Sequence, residues 1–270
     1  NLWSKSFTEA REVAWATGDT QGEITIGGTM AQPTISGRLA VRDGTIKLAA
    51  LNDPIQKVGV DIEFIGDKIK VRTIEGQSGG GNLRLTGDMA VRGRGLADYN
   101  LALTADKFRV DSKYFKGPLN GTLRLTTVKD KPVLAGQVAF DDDTLAVPLE
   151  PQFTATDFDL GLDVEVTASK KVRLYSPYLY DIWGQGQVKI SGTLADPAVE
   201  GRLVSQRGTI NYLGTRFKIR AAKADFSPPG FEPSVRLVAD TRFERATITL
   251  SVSGPLSELQ YKLQSEPYMS

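Results

Sequence analysis

From Gly22 almost to the C-terminus apolar side chains recur at every second residue, and no other feature constrains the fold of this chain so tightly. The alternation runs through Ile24 and Ile26, Leu39 and Val41, Ile46 and Leu48, Val60, Ile62 and Phe64, Leu83 and Leu85, Leu101 and Leu103, and Leu123 and Leu125. It continues through Val138 and Phe140, Leu160, Leu162, Val164 and Val166, Val188 and Ile190, Leu203, Ile210 and Tyr212, and Phe217 and Ile219. Val235 and Leu237, Ile248, Leu250 and Val252, and Leu259, Tyr261 and Leu263 complete it. A period of two sends successive side chains to opposite faces of a strand, so the pattern predicts strands with one apolar and one wet face. Lys47, Glu63, Arg84, Arg124, Lys189 and Arg236, on the other phase, are expected to face water.

Turn signals interrupt the alternation every 8 to 12 residues or so, at Arg42-Asp43-Gly44, Ile65-Gly66-Asp67, Gly79-Gly80-Gly81-Asn82, Gly117-Pro118, Asp141-Asp142-Asp143 and Pro228-Pro229-Gly230. This rhythm predicts an antiparallel meander of roughly sixteen strands, about 75 Å long at about 4.8 Å per strand. Residues 18–270 are read as one continuous repetitive β domain. Residues 1–17 are read as a short amphipathic helix, because Trp3, Phe7, Ala10 and Ala14 recur at spacings of three or four until Gly18. One such helix, rising about 1.5 Å per residue, covers only a fraction of the sheet. The apolar face must therefore close on itself, pack a second layer or hold an apolar guest.

Composition removes most chemistry. Among the 270 residues there is neither Cys nor His, which excludes disulfides, thiolate and imidazole metal ligands, thiol nucleophiles and a Ser-His-Asp triad. The charge of +1, from 33 basic and 32 acidic residues, sets up no uniform field toward nucleic acid, and neither a nucleic-acid partner nor a cofactor or metal is expected. No apolar run approaches the ~18 residues of a spanning helix. The start at Asn1, with neither Met nor signal-peptide features, suggests a piece of a longer protein.

The chain also repeats itself. Residues 22–48 align without gaps with residues 186–212 at an offset of 164, with 12 identities in 27 positions, among them Gly22/Gly186, Gly28/Gly192, Pro33/Pro197, Gly37/Gly201, Leu39/Leu203 and Gly44/Gly208. A weaker copy at an offset of 99 keeps Gly121, Pro132, Gly136 and Thr144, and Val252-Ser253-Gly254-Pro255-Leu256 reads as the start of another. Each unit is a strand, a Pro-bearing bend, a strand with a mid-strand Gly, a tight turn and a further strand. Such a unit cannot bury its own apolar face, so neighbouring copies must share one.

The segments Ser191–Leu203 (SGTLADPAVEGRL), Arg207–Tyr212 (RGTINY), Ala224–Ser227 (ADFS) and Val252–Pro267 resemble the C-terminal region of the translocation and assembly module TamB family. Ile65–Val71 and Gly79–Gly87 are similar to phrases of the wider AsmA-like family to which TamB belongs. The resemblance implies a periplasmic part of an inner-membrane-anchored envelope protein, folded as an open U-shaped trough, the β-taco, without enzymatic activity. It implies that the alternating apolar residues named above, Val60 and Val166 apart, form a groove for phospholipid acyl chains travelling between the membranes. It also implies an outer-membrane barrel of the TamA type as partner, and, as a second role, a scaffold assembling barrel and autotransporter proteins by strand addition. The family's last stretch, beyond Ser-Glu-Pro, does not follow Ser270, which bears on the barrel contact. Periodicity alone leaves an ordinary sandwich or barrel core as the simpler reading of the same residues.

Competing signals are weaker. Gly79-Gly80-Gly81 lacks the Gly-Lys-Ser/Thr of a phosphate loop and reads as a hairpin turn. Asp141-Asp142-Asp143 lacks EF-hand spacing and reads as a solvated turn. Asp157, Asp159, Asp163 and Glu165 read as an acidic outer face, with nothing selecting a glycosidase pair among them. Asn120-Gly121-Thr122 matches a glycosylation acceptor by coincidence. Tyr175, Tyr178, Tyr180 and Trp183 form an aromatic cluster expected to plug a sheet edge or trough end.

Overall fold

The computed structural model describes residues 13–29, 33–92, 95–113, 115–146 and 159–267, and these are almost entirely strand. The elements are β1 (Val13–Gly28), β2 (Pro33–Leu48), β3 (Ile55–Gly66), β4 (Lys68–Ser78), β5 (Gly81–Arg92), β6 (Gly95–Asp111), β7 (Phe115–Val128) and β8 (Lys131–Phe140). They continue with β9 (Thr144–Leu145), β10 (Gly161–Ser176), β11 (Tyr180–Thr193), β12 (Pro197–Tyr212), β13 (Thr215–Phe226), β14 (Pro233–Phe243), β15 (Ala246–Pro255) and β16 (Gln260–Glu266). No helix occurs among the described residues, hence none long and apolar enough to cross a membrane.

The helix expected over residues 1–17 is corrected where it can be seen. Residues 1–12 lie outside the described residues, but from Val13 the chain is strand, paired with β2 through Val13↔Leu48, Ala16↔Ile46 and Thr17↔Thr45. Gly18, expected to stop a helix, lies inside β1. Hydrogen bonding along a sixteen-residue partner outweighs a helical spacing of a few apolar residues, since propensity is a weak prior beside tertiary pairing.

The chain divides into two compact units, Asn1–Gly136 and Gln137–Ser270. In the first, β1 to β7 pair in chain order, each antiparallel to the next. In the second, β10 to β16 do the same, and the short β9 pairs in parallel with β10. Tight turns follow from local chemistry. Gly79 and Gly80 take φ of +57° and +85°, and Lys129 and Asp130 take +50° and +63°, giving the two successive left-handed residues of a two-residue hairpin.

The sequence repeat is a structural one. An offset of 164 carries Pro33–Leu48 onto Pro197–Tyr212, which are the bounds of β2 and β12. Gly37 and Gly201 sit mid-strand with φ of +133° and +137°, and an added Cβ would lie 1.9 Å from the Glu23 carbonyl oxygen and 2.3 Å from that of Gln187. Only glycine fits that backbone geometry, which is why both copies keep it.

Register shifts interrupt the pairing, between Val41 and Gly44, Gln56 and Gly59, Val71 and Ile74, and Ala105 and Phe108 in the first unit, and between Ala168 and Val172 and Ile219 and Ala221 in the second. Bulges increase local twist and bend the strand that holds them, so the strands depart from a flat ladder at these positions. The main buried core lies in the second unit, where Phe217, Ile219, Leu237, Ala239, Leu250 and Val252 pack together against Ile182, Ile210, Tyr212, Ala222, Ile248 and Leu259.

Candidate functional site

Residues directly opposite in an antiparallel pair share a face, so the register shows which side chains form continuous rows. In the first unit one row runs Leu39, Ile62, Val71, Gly87, Leu101, Leu125 across β2 to β7. A second runs beside it through Val41, Val60, Ile74, Leu85, Leu103 and Leu123. Phe64, opposite Gly37, and Leu83, opposite Gly76 and Ala105, extend the same face. Apart from Val71, which is buried, the large side chains in these rows are half-buried. Ile24 and Ile26 at the β1 end are 46% and 64% exposed, while Ile46 and Leu48 are half-buried. Among the described residues no helix lies on this face.

The second unit begins the same way. Leu162 faces Gly192, Val164 pairs Ile190 and Ile190 pairs Val199, Val166 pairs Val188, and Ala168 and Leu203 flank Gly186. Val164 is buried and its neighbours Leu162, Val166, Val188, Ile190 and Leu203 are half-buried, as are Val138 and Phe140 in β8 and Leu160 just before β10.

Toward β16 the face changes character. The sequence puts Phe217, Ile219, Leu237, Leu250 and Val252 in a groove, but the structure buries them in the core, with Ala239 and Leu250 at 0% exposure. Val235, Ile210, Tyr212, Ile248 and Leu259 are half-buried around them, and Tyr261 and Leu263 on the last strand are exposed. The expected groove residues therefore share one face but divide into an accessible set and a sealed set.

The opposite face is wet and ion-paired, as the other phase implied. Arg38 donates two hydrogen bonds to Asp61 at 2.8 and 2.7 Å, Arg72 pairs Glu63 at 2.7 Å, Lys189 pairs Asp163 at 3.0 Å, and Arg202 pairs Asp225 at 2.6 Å. Arg38 holds the Asp61 carboxyl below its usual range, and Lys223 with Arg202 does the same for Asp225. Exposed pairs of this kind contribute at most about 1 kcal/mol each, and their main effect is to keep one face solvated.

The aromatic cluster splits across both faces and so forms no plug. Tyr178 stands almost wholly exposed in the β10–β11 turn, while Tyr180 faces Ile210 on the apolar side, where burial pushes its hydroxyl pKa up. Trp183 is on the wet face, with the Arg207 guanidinium 4.5 Å and the Arg173 guanidinium 5.4 Å from its ring centre. Arg173 is fixed in turn by two hydrogen bonds to Asp181, at 2.6 and 2.7 Å.

Asp141-Asp142-Asp143 is only partly the solvated turn expected of it. Asp141 and Asp142 are exposed, but Asp143 is 1% exposed, accepting the Asp141 N–H at 2.7 Å through one carboxylate oxygen and leaving the other without a partner. Desolvation, with the two neighbouring acids, raises its pKa to about 6 despite that hydrogen bond. The described residues contain no group of three acids placed to hold a metal ion.

Val71, Ile74 and Val199 belong to the apolar rows but were not singled out from the sequence. The bulge between Val71 and Ile74 gives them a spacing of three, which takes Ile74 off the period of two that Ile69 and Val71 keep.

No curated protein matches the chain. Residues 139–270, nearly all of the second unit, match the family model described as the TamB C-terminal domain. That segment, which holds β9 to β16 and the repeat copy around β12, is just under half of the chain, and it is what the chain shares with the TamB C-terminal domain.

Proposed function

We propose that the chain is a periplasmic segment of an envelope-spanning protein of a diderm bacterium, and that its apolar face, folded as an open U-shaped trough, shields phospholipid acyl chains passing between the inner and outer membranes. The observation behind this reading is the pair of apolar rows across β2 to β7, whose large side chains are half-accessible apart from the buried Val71. Continuous apolar patches beyond a few hundred Å² are rare on proteins that work alone in water, and they mark surfaces that meet apolar partners. Burying a methylene gains about 0.8 kcal/mol without directional bonds, so an acyl chain moves from one Leu pair to the next without breaking a specific contact. No bond is made or broken in this scheme and no enzyme activity is assigned. Similarity to the TamB C-terminal domain supports an envelope role in outer-membrane assembly or lipid transport; the partner proposed with it is an outer-membrane barrel of the TamA type.

A photo-crosslinking residue placed at Leu85 or Leu103 should capture phospholipid in cells, and one at outward Arg84 or Thr104 should not. Equal capture from both faces, or none from Leu85 and Leu103, overturns the proposal.

A second reading rests on β16, which pairs only with β15 among the described residues and leaves a backbone edge able to accept a strand. In that reading the chain assembles barrel or autotransporter proteins by strand addition. Proline at Lys262 or Gln264 would then abolish client binding, and Leu103→Asp would spare it; the reverse result favours lipid shielding.

A further inference from the structure

We propose that the wet face of the second unit carries a binding site for a phosphate ester, in a hollow spanning β10 to β14. The hollow has a volume of about 650 Å³, and four cations line it: Lys170, Arg207, Lys223 and Arg236. No acid among the described residues is part of its wall. Val204 faces Lys223 and Lys223 faces Arg236, a row one residue out of phase with the apolar Leu203, Ala224 and Val235. The site is therefore on the side away from the acyl-chain face and does not depend on that reading.

Charge is arranged differently here from the rest of the wet face. Elsewhere opposite signs meet across neighbouring strands, as Arg38 with Glu63, Arg84 with Glu75, Lys189 with Glu165 and Arg202 with Asp225. Lys223 and Arg236 instead stand directly opposite one another, an arrangement that destabilises a sheet until an anion sits between them. Lys223 reaches sideways to Asp225 at 2.7 Å, a carboxylate it shares with Arg202. Lys170, Arg207 and Arg236 have no carboxylate partner among the described residues.

Arg207 is also held in place in advance. Gln206 is the extra residue of a bulge, since Trp183 pairs Arg207 and Gly184 pairs Ser205. The buried Ser205 hydroxyl clamps that bulge, donating to the Trp183 carbonyl at 2.7 Å and accepting the Arg207 N–H at 3.2 Å. With its guanidinium 4.5 Å from the centre of the Trp183 ring, Arg207 loses little freedom when an anion arrives. The repeat supplies an internal comparison. An offset of 164 carries Val41-Arg42-Asp43 onto Ser205-Gln206-Arg207, while the flanking Leu39/Leu203 and Gly44/Gly208 are kept. The first unit has a hollow of about 710 Å³ at Arg42 and Asp43, but Asp43, Asp61 and Glu75 are in its wall, and Val41 has no hydroxyl to clamp a bulge. One copy has thus exchanged an acid for an arginine and a valine for a serine, neither of which the strand itself requires. A phosphate ester fits the charge left over, because its monoester carries roughly −1.5 to −2 and three acceptor oxygens, whereas a carboxylate brings a single charge. Planar guanidinium forks match those oxygens, and Val204, Ala221 and the exposed Val238 give the carbon side of the ester an apolar floor.

The ester can be soluble or a lipid headgroup, and two probes separate these sources. Equilibrium dialysis measures retention of labelled glycerol 3-phosphate, and flotation measures binding to phosphatidylcholine vesicles with and without phosphatidic acid. The chain should retain the first, or float better when phosphatidic acid is present. Arg207→Asp, which restores the residue of the first unit, and Arg236→Gln should each weaken that binding roughly tenfold or more, the loss of one charge-assisted hydrogen bond. Arg42→Gln in the other hollow should leave it unchanged. Retention of glycerol 3-phosphate identifies a soluble ester, and a response to phosphatidic acid alone identifies a headgroup. No binding of either probe, binding that survives both substitutions, or equal retention of glycerate overturns the proposal. Denaturation checks folding: Arg236→Gln relieves the repulsion of Lys223, so without ligand its midpoint should be no lower than the parent's. Inorganic phosphate should raise the parent's midpoint and not that of Arg236→Gln, and an equal rise in both also overturns the site. None of these results bears on lipid capture from Leu85, which reads the opposite face of the other unit.

Discussion

Asp143 is the residue at which the fold works against itself. Its carboxyl is buried with one oxygen unpartnered, and its pKa of about 6 lies above the ~3.9 of an unfolded chain. The folded state therefore binds more protons than the unfolded state between those values, and stability must fall as pH rises through that window. A difference of about two units corresponds to roughly 3 kcal/mol, fully felt above pH 6.5 and absent below pH 4. Asp143→Asn removes the charge and keeps the shape. Denaturant midpoints of the variant should exceed those of the parent at pH 7.5 by an amount of that order, and the two should converge near pH 4. Parallel pH profiles would mean that Asp143 does not titrate on folding. Its special position was not legible in the sequence, where three consecutive acids look like a solvated turn. Only the pairing of β9 with β10, which brings the Asp143 carbonyl to the Arg173 N–H at 2.7 Å, draws the third acid under cover.

At the scale of the element, the β2 and β12 hairpins show what a repeat preserves. Gly201 holds a φ that other residues reach only under strain, and a methyl group there meets the Gln187 carbonyl at 2.3 Å. Strain of that kind costs about 1–3 kcal/mol before any steric overlap is counted. Gly201→Ala should lower the unfolding free energy by at least about 2 kcal/mol, and Gly37→Ala likewise. Gly95→Ala, where nothing lies within 4 Å, should stay within about 0.5 kcal/mol of the parent. Equilibrium denaturation of the three variants settles it, and a harmless Gly201→Ala would reduce the repeat to chance resemblance. The strands themselves were readable, since side-chain alternation and turn glycines are local signals. The bulges were not: the extra residue at Val71–Ile74 breaks the period in sequence while preserving the face in space. Val13 onward failed as a helix for a related reason, because its pairing partner lies some thirty residues away and leaves no local mark.

For the whole molecule the question is how one alternating pattern yields both an accessible surface and a sealed core. Leu85 and Leu250 look equivalent in sequence, each apolar between polar neighbours, yet one is half-accessible and the other has no exposed surface. The difference is curvature, which follows from bulges and from contacts between distant strands such as Tyr212 on Tyr261, so no window of sequence contains it. Local stability should follow burial. Amides of β13 to β15 open only with the loss of the cluster around Leu250 and should exchange slowest, while those of β1, exposed along its length, should exchange first. A ligand that binds only the folded state stabilises the region it touches by an amount set by its concentration over its dissociation constant. Phospholipid added to the chain should therefore slow amide exchange in β2 to β7 and leave the backbone around Ala239 and Leu250 as it was. Were protection to rise around Ala239 and Leu250 alone, the ligand would be entering the sealed core, and the accessible rows from Leu39 to Leu125 would need another occupant.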